Sequence, residues 1–249
     1  MNEFAVWAAV HPYYWFCGLP LLAAGLAWVS WQALSGQAPG RRRSALYGSF
    51  ALGMVVLFLA LAVAVRQDDS SLVAFDTALA RGLSLSMATE LLWLLSWFTH
   101  LGDRSWLTVL AMVMVLGLLM RQRWGLAMGA AAATAGGGIL NWTLKHAFQR
   151  VRPDFGHGFS HPTGFSFPSG HASASLAVYG FACYLLLRLL PERSQGLCVA
   201  LTAALVAAIG VSRVLLQVHY LSDVVAGFAV SALWLALCVT LTERMLRRR

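Results

Sequence analysis

Seven stretches of this sequence are apolar runs of the length that crosses a lipid bilayer, and no polar segment between them is long enough to fold separately. A hydrocarbon core is about 30 Å thick and takes about 20 apolar residues of helix to span. Inside it every backbone N–H and C=O must find its partner within the protein, so only helices and closed barrels cross. The runs are residues 14–34, 45–65, 105–120, 124–144, 171–190, 197–216 and 221–241. The third is the shortest, and only Arg121, Gln122 and Arg123 part it from the fourth, the spacing of a tight helical hairpin. The predicted fold class is therefore all-α: a polytopic membrane helical bundle of about seven transmembrane helices plus an interfacial helix. The whole of 1–249 reads as a single membrane domain. Only 11% of residues are charged and the mean hydropathy is +0.68, against roughly 25% charged residues in a soluble domain.

The arginines orient the bundle. Net charge is +8, carried by arginine apart from the single lysine, Lys145. Arg41, Arg42 and Arg43 separate the first two runs, and Arg121 and Arg123 the third and fourth. Arg188 and Arg193 flank the link between the fifth and sixth, and Arg244, Arg247, Arg248 and Arg249 follow the last. With seven spans all these clusters fall on one side, which the positive-inside rule makes the cytoplasm. Clusters at span ends give a topology signal, so no nucleic-acid partner is expected. The first run carries Pro20 and several aromatics and reads as a retained helix. Cys17, Cys183, Cys198 and Cys238 lie inside apolar runs and read as packing residues.

Residues 14–65 thus form two N-terminal spans, 71–102 an outer segment, and 105–241 a core. In 71–102, Leu72, Phe75, Leu79 and Leu83 recur at helical spacing beside Asp76 and Arg81, which predicts an amphipathic helix lying in the interface, with a re-entrant helix as the alternative. Gly129, Ala133, Gly136, Gly137 and Gly138 in the fourth run predict close helix approach.

Three polar blocks are predicted to meet at the outer face. One runs from Lys145 to Arg152 and Pro153; the second is Pro168, Ser169, Gly170 and His171; the third holds Ser212, Arg213, His219 and Asp223. Lys145, Arg152 and Arg213 supply cations, and the guanidinium fork suits phosphate oxygens. Ser169 and Gly170 stand where a helix begins, leaving backbone N–H groups for an anion. His219 and Asp223 are four apart and share a helix face, so the carboxylate can hold one ring nitrogen while the other attacks. His171 is a second imidazole, suited to general acid work. Asp223, bordering an apolar span, is costly unless paired and is functional by default.

These blocks, K-x6-RP, PSGH and SR-x5-H-x3-D, resemble the type 2 phosphatidic acid phosphatase family, which also includes vanadium haloperoxidases. The resemblance implies a phosphatase, without metal or cofactor, acting on a phosphomonoester or pyrophosphate. It implies that His219 attacks phosphorus, Asp223 orients it, and His171 protonates the leaving oxygen and then activates water. Lys145, Arg152, Ser169, Gly170 and Arg213 would hold the phosphate oxygens. The expected partners are the membrane and a lipid phosphate such as undecaprenyl diphosphate, phosphatidylglycerol phosphate, phosphatidic acid or a lipid A phosphate. The expected setting is a bacterial inner membrane with the site facing the periplasm. A lipid phosphotransferase would use the same histidine. A transporter or structural membrane protein would instead carry its charges near the bilayer midplane, or none of note.

Other residues read more plainly. Arg150 is expected at the surface or on a headgroup, and Ser212 to pair with backbone. Phe155, Phe159, Phe165 and Phe167 suit acyl-chain contact or loop anchoring. His157 and His161 have no third ligand at metal spacing, and no metal site is expected.

Overall fold

The computed structural model describes all residues except 1–2, 36–40, 68, 154, 156–157, 160–162 and 248–249, with the backbone alone at 41–43. The described residues form eleven α-helices: α1 Glu3–Ala9, α2 Leu19–Ser35, α3 Arg41–Ala64, α4 Ser71–Ser86, α5 Thr89–Phe98, α6 Arg104–Met120, α7 Trp124–Ala131, α8 Gly137–Phe148, α9 Gly170–Leu187, α10 Glu192–Leu215 and α11 Leu221–Arg247. Short π-helical turns at Tyr14–Gly18 and Ala132–Gly136 lead into α2 and join α7 to α8, and a 3-10 turn spans Thr99–Gly102. Six helical stretches are long and apolar enough to cross a membrane. The α7–α8 stretch is the predicted fourth run, helical throughout apart from its π turn. This is a multi-span, all-helical membrane protein.

The predicted ends shift by a few residues. α9 stops at Leu187 rather than 190, α10 begins already at Glu192, and α11 continues to Arg247. Polar residues such as Glu192 and Arg244 carry the helices past the apolar runs, where backbone pairing still favours helix outside lipid. The segment 71–102 is not one helix. Ser70 caps α4, its hydroxyl accepting from the Val73 N–H, and Met87 and Ala88 are extended before α5.

Small residues set the helix spacing. A Cβ on Gly136 would stand 2.6 Å from the Trp234 ring, so α11 approaches the α7–α8 turn as the glycines predict. Gly102 is equally constrained, since a Cβ there would meet Ile209 and His171 at 3.0 Å or less. The apolar core joins α4, α5 and α10 through Leu79, Leu83, Leu95, Leu215 and Leu216. Phe167 is fully buried with Ala226 against Phe58 and Phe148. It is a core residue, neither an acyl-chain contact nor a loop anchor.

One end of the bundle collects the polar blocks. The α8 exit, the α9 start, the α10 end and the α11 start all lie there. Arg66 donates to the Ala147 carbonyl at 3.4 Å, bringing the end of α3 to the same place. Arg121, Arg123 and Arg188, in or beside the turns, and Arg193, at the start of α10, lie at the opposite ends of these helices, where Arg188 pairs with Glu243 at 2.5 Å.

Candidate active site

His219 sits in the short link between α10 and α11, 2% exposed. Asp223, in the first turn of α11, is fully buried and faces it. Its Oδ2 stands 3.4 Å from His219 Nδ1 and accepts from the Tyr220 N–H at 2.9 Å. The other ring nitrogen, Nε2, lies 3.0 Å from Arg152 Nη1. A guanidinium only donates, so Nε2 holds a lone pair and Nδ1 carries the proton toward the carboxylate. Burial first, and the charge of Arg152 next, push the imidazole well below its ordinary value. A neutral, correctly turned imidazole is what a nitrogen nucleophile requires.

The cations converge on that nitrogen. Arg152 also donates to the Val218 and Gly164 carbonyls, at 2.7 and 2.9 Å, which fixes its fork. Lys145, near the end of α8, donates to Phe165 O at 2.5 Å. Arg213, at the end of α10, is 2% exposed and donates to Thr99 Oγ1 at 2.9 Å. Its Nε is buried with no hydrogen-bond partner among the described residues. A buried donor left unpaired costs about 1–3 kcal/mol, so Arg213 Nε calls for an acceptor. Ser169 caps α9, accepting from the Ala172 N–H at 3.5 Å, while its own N–H donates to Asp223 O at 2.9 Å. The second block is thereby tied to the third. Gly170 follows as the first residue of α9.

Six of the predicted residues, Lys145, Arg152, Gly170, His171, Arg213 and His219, line one cavity of about 1390 Å³. The same cavity continues between α6 and α7–α8 along Met112, Val115, Leu116, Ala131 and Ile139. A cationic head joined to an apolar slot is shaped for an amphiphile.

Three residues outside the blocks complete the polar cluster. Asp103, just before α6, accepts from His171 Nε2 at 2.8 Å. Thr99 receives Arg213. Asp76, on α4, is 1% exposed and accepts from Arg150 Nη2 at 2.9 Å. Arg150 is consequently no surface residue: its side chain is 10% exposed and its Nη1 donates to Asp223 Oδ1 at 2.7 Å. The expectation of a surface or headgroup contact fails because two buried carboxylates require a cation between them. Sequence spacing carried a sign of this, since Asp76 lies on the same helix face as Leu72, Leu79 and Leu83. Ser212 donates to the Ile209 carbonyl at 2.7 Å, as its reading predicted. His157 and His161 lie outside the described residues. No group of three or more His, Cys, Asp or Glu among the described residues is placed to hold a metal ion.

A helical membrane bundle gathers two imidazoles, a buried carboxylate and three cations at one end, and the chain belongs to the PAP2 superfamily of phosphatases, whose sequence pattern matches residues 126–247. It is a membrane lipid phosphatase of that type. Phosphatidylglycerophosphatase B of Bacillus subtilis is 31% identical over 202 residues, 80% of this chain and 97% of that protein. Decaprenylphosphoryl-5-phosphoribose phosphatase of Mycobacterium tuberculosis is 34% identical over 139 residues, 54% of this chain and 71% of the relative. The crystal structure of a transmembrane PAP2-type phosphatidylglycerolphosphate phosphatase from Bacillus subtilis is similar with a TM-score of 0.72 at 29% identity, covering 80% of this chain and 98% of that one.

Proposed function

We propose that this chain hydrolyses a terminal phosphate from a membrane amphiphile through a phosphohistidine on His219, without metal or cofactor. His219 Nε2 forms the N–P bond as the P–O bond to the leaving group breaks. His171 gives its proton to the departing oxygen, then takes one from the water that cleaves the N–P bond. Asp223 keeps the Nδ1 proton in place and balances the charge that the imidazole gains. Lys145, Arg152, Arg213 and the N–H groups at the start of α9, around Ser169 and Gly170, hold the phosphate oxygens as charge spreads over them. Asp103 orients His171.

The observation that carries this reading is the single cavity in which Arg213, with its unpaired Nε, and His219 Nε2 face the head of an apolar slot. The substrate class is a phosphomonoester or pyrophosphate whose tail stays in lipid. Phosphatidylglycerol phosphate stands first, by similarity to the Bacillus protein; undecaprenyl diphosphate, phosphatidic acid and lipid A phosphates share the chemistry. The arginine-rich ends lie opposite the site, which by the positive-inside rule supports a site on the periplasmic face of a bacterial inner membrane.

The test is phosphate release by purified protein in detergent with excess EDTA, across those four lipids, beside His219→Ala. Release that survives EDTA and disappears in the variant is the expected result. Loss with EDTA, restored by a divalent cation, overturns the metal-free reading. Transfer of phosphate to an added lipid alcohol, with none released, marks a phosphotransferase.

A further inference from the structure

Behind His219, on the side away from the cavity, stands a closed polar cluster that no motif describes. Arg150 is its hub. Nη1 donates to Asp223 Oδ1 at 2.7 Å and to Ser222 Oγ at 2.8 Å, while Nη2 donates to Asp76 Oδ2 at 2.9 Å. Ser222 returns to Asp76 twice, through its hydroxyl and through its N–H at 3.2 Å. The guanidinium lies over the Tyr220 ring, 4.2 Å from the centroid. Asp76 and Asp223 are 1% and 0% exposed. Together these bonds tie α4 to the start of α11 through the loop after α8.

Such a cluster is an expensive way to join helices. Apolar side chains of similar volume serve at least as well, because buried ions lose hydration that pairing only partly replaces. Its charge count suggests a further role. Asp223 alone would face His219 with one negative charge. Arg150 cancels that, and Asp76 restores it. The rear of the imidazole therefore meets a net charge of minus one, held rigidly through two carboxylates and one fork.

We propose that Asp76 and Arg150 are positioning residues that set the charge and aim of the Asp223 carboxylate while His219 carries the phosphoryl group. This rests on the reading of His219 as nucleophile. On attack, Nε2 bonds to phosphorus and the ring becomes a cation that keeps its Nδ1 proton. A cation formed in a buried site needs fixed negative charge nearby. Other charged or titratable groups face the ring from each packed element: Lys145 from α8, Arg152 from the following loop, His171 from α9 and Arg213 from α10, with Asp103 behind His171. These cations stand on the phosphate side, and Arg150 alone among the named cations stands behind the ring. Asp223 and Asp76 are the carboxylates behind the ring, and Arg150 decides how much of their charge it receives.

The experiment measures kcat, KM and the acid limb of kcat/KM for phosphatidic acid in mixed micelles. The proteins are the full chain, Asp76→Asn, Arg150→Lys, Arg150→Gln, the Asp76→Asn/Arg150→Gln double variant and His219→Ala. Arg150→Gln leaves two carboxylates uncompensated, raises the proton affinity of His219, and moves its acid limb up by about half a pH unit or more. The double variant returns to net minus one and to the limb of the unaltered chain. Arg150→Lys keeps the charge and the limb. Asp76→Asn, nearly isosteric, loses about tenfold or more in kcat with KM within about twofold. The substrate's own ionisation is common to all and cancels in the comparison. Arg150→Gln and the double variant sharing one limb, or an Asp76→Asn loss that falls wholly on KM, overturns the proposal. Should Arg150→Gln fail to fold, the kcat-against-KM split of Asp76→Asn decides alone. An active His219→Ala instead overturns the nucleophile. A dead His219→Ala with unmoved limbs leaves the nucleophile standing and removes only the role of Asp76 and Arg150.

Discussion

Arg213→Met should make the protein more stable and inactive at once. Arg213 is 2% exposed and donates to Thr99 Oγ1 at 2.9 Å, and its Nε has no hydrogen-bond partner among the described residues. Removing an unpaired buried donor returns about 2 kcal/mol. Losing the Thr99 bond costs about 1 kcal/mol, and methionine fills much of the vacated volume, so the net gain is about 1 kcal/mol. For a chain of this size that raises Tm by roughly 2–4 °C. Inorganic phosphate reverses the ranking. At a hundredfold excess over Kd it adds about 2.7 kcal/mol to the unaltered chain, roughly 5–10 °C. The variant lacks a charge-assisted bond of about 1.5–3 kcal/mol, so at the same concentration it gains only about 0.3–1.3 kcal/mol. Tryptophan fluorescence during heating in detergent, with and without phosphate, reads all four values. A variant that melts lower than the unaltered chain without phosphate, or gains as much from it, refutes the anion-site reasoning.

Asp223→Asn should lower kcat by on the order of 10²–10⁴ with little change in KM, since it removes the charge behind His219 while keeping its shape; steady-state kinetics on a lipid phosphate tests this. Because burial holds His219 below its unfolded value of 6.5, the unfolded chain binds the extra proton. The contribution to stability is complete above that value and falls as pH drops below it. Melting curves from pH 8 to pH 5 should show that slope, and its absence from His219→Asn isolates the residue. Ala111→Trp, on the wall of the apolar slot, should raise KM for long-chain lipids several-fold and leave a short, water-soluble phosphomonoester unaffected; equal losses on both would count against the slot as the tail site.

Helix positions and the three motif blocks were legible in the sequence because each rests on a local rule: apolar run length, arginine at span ends, fixed spacing within one turn. His219 and Asp223 could be paired from their separation of four alone. Arg150, Asp103 and Thr99 could not, since their partners are 73, 68 and 114 residues away and only tertiary packing brings them together. Asp76 was half legible. Its place on an apolar helix face demanded a partner, but nothing local named Arg150. The division of 71–102 into α4 and α5 was hidden too, because Met87 and Ala88, extended in the structure, are ordinary helix formers.

Asp76, Thr99 and Asp103 all precede residues 126–247, the stretch that carries the family pattern. A variant surveyed only across that pattern would look intact while lacking the oxygen that answers Arg150, Arg213 or His171. Damage at any of the three should therefore appear as an unexplained loss of function in genetic data. A transplant of the patterned stretch onto foreign N-terminal helices would carry over every motif residue and still arrive without the partners of Arg150, His171 and Arg213.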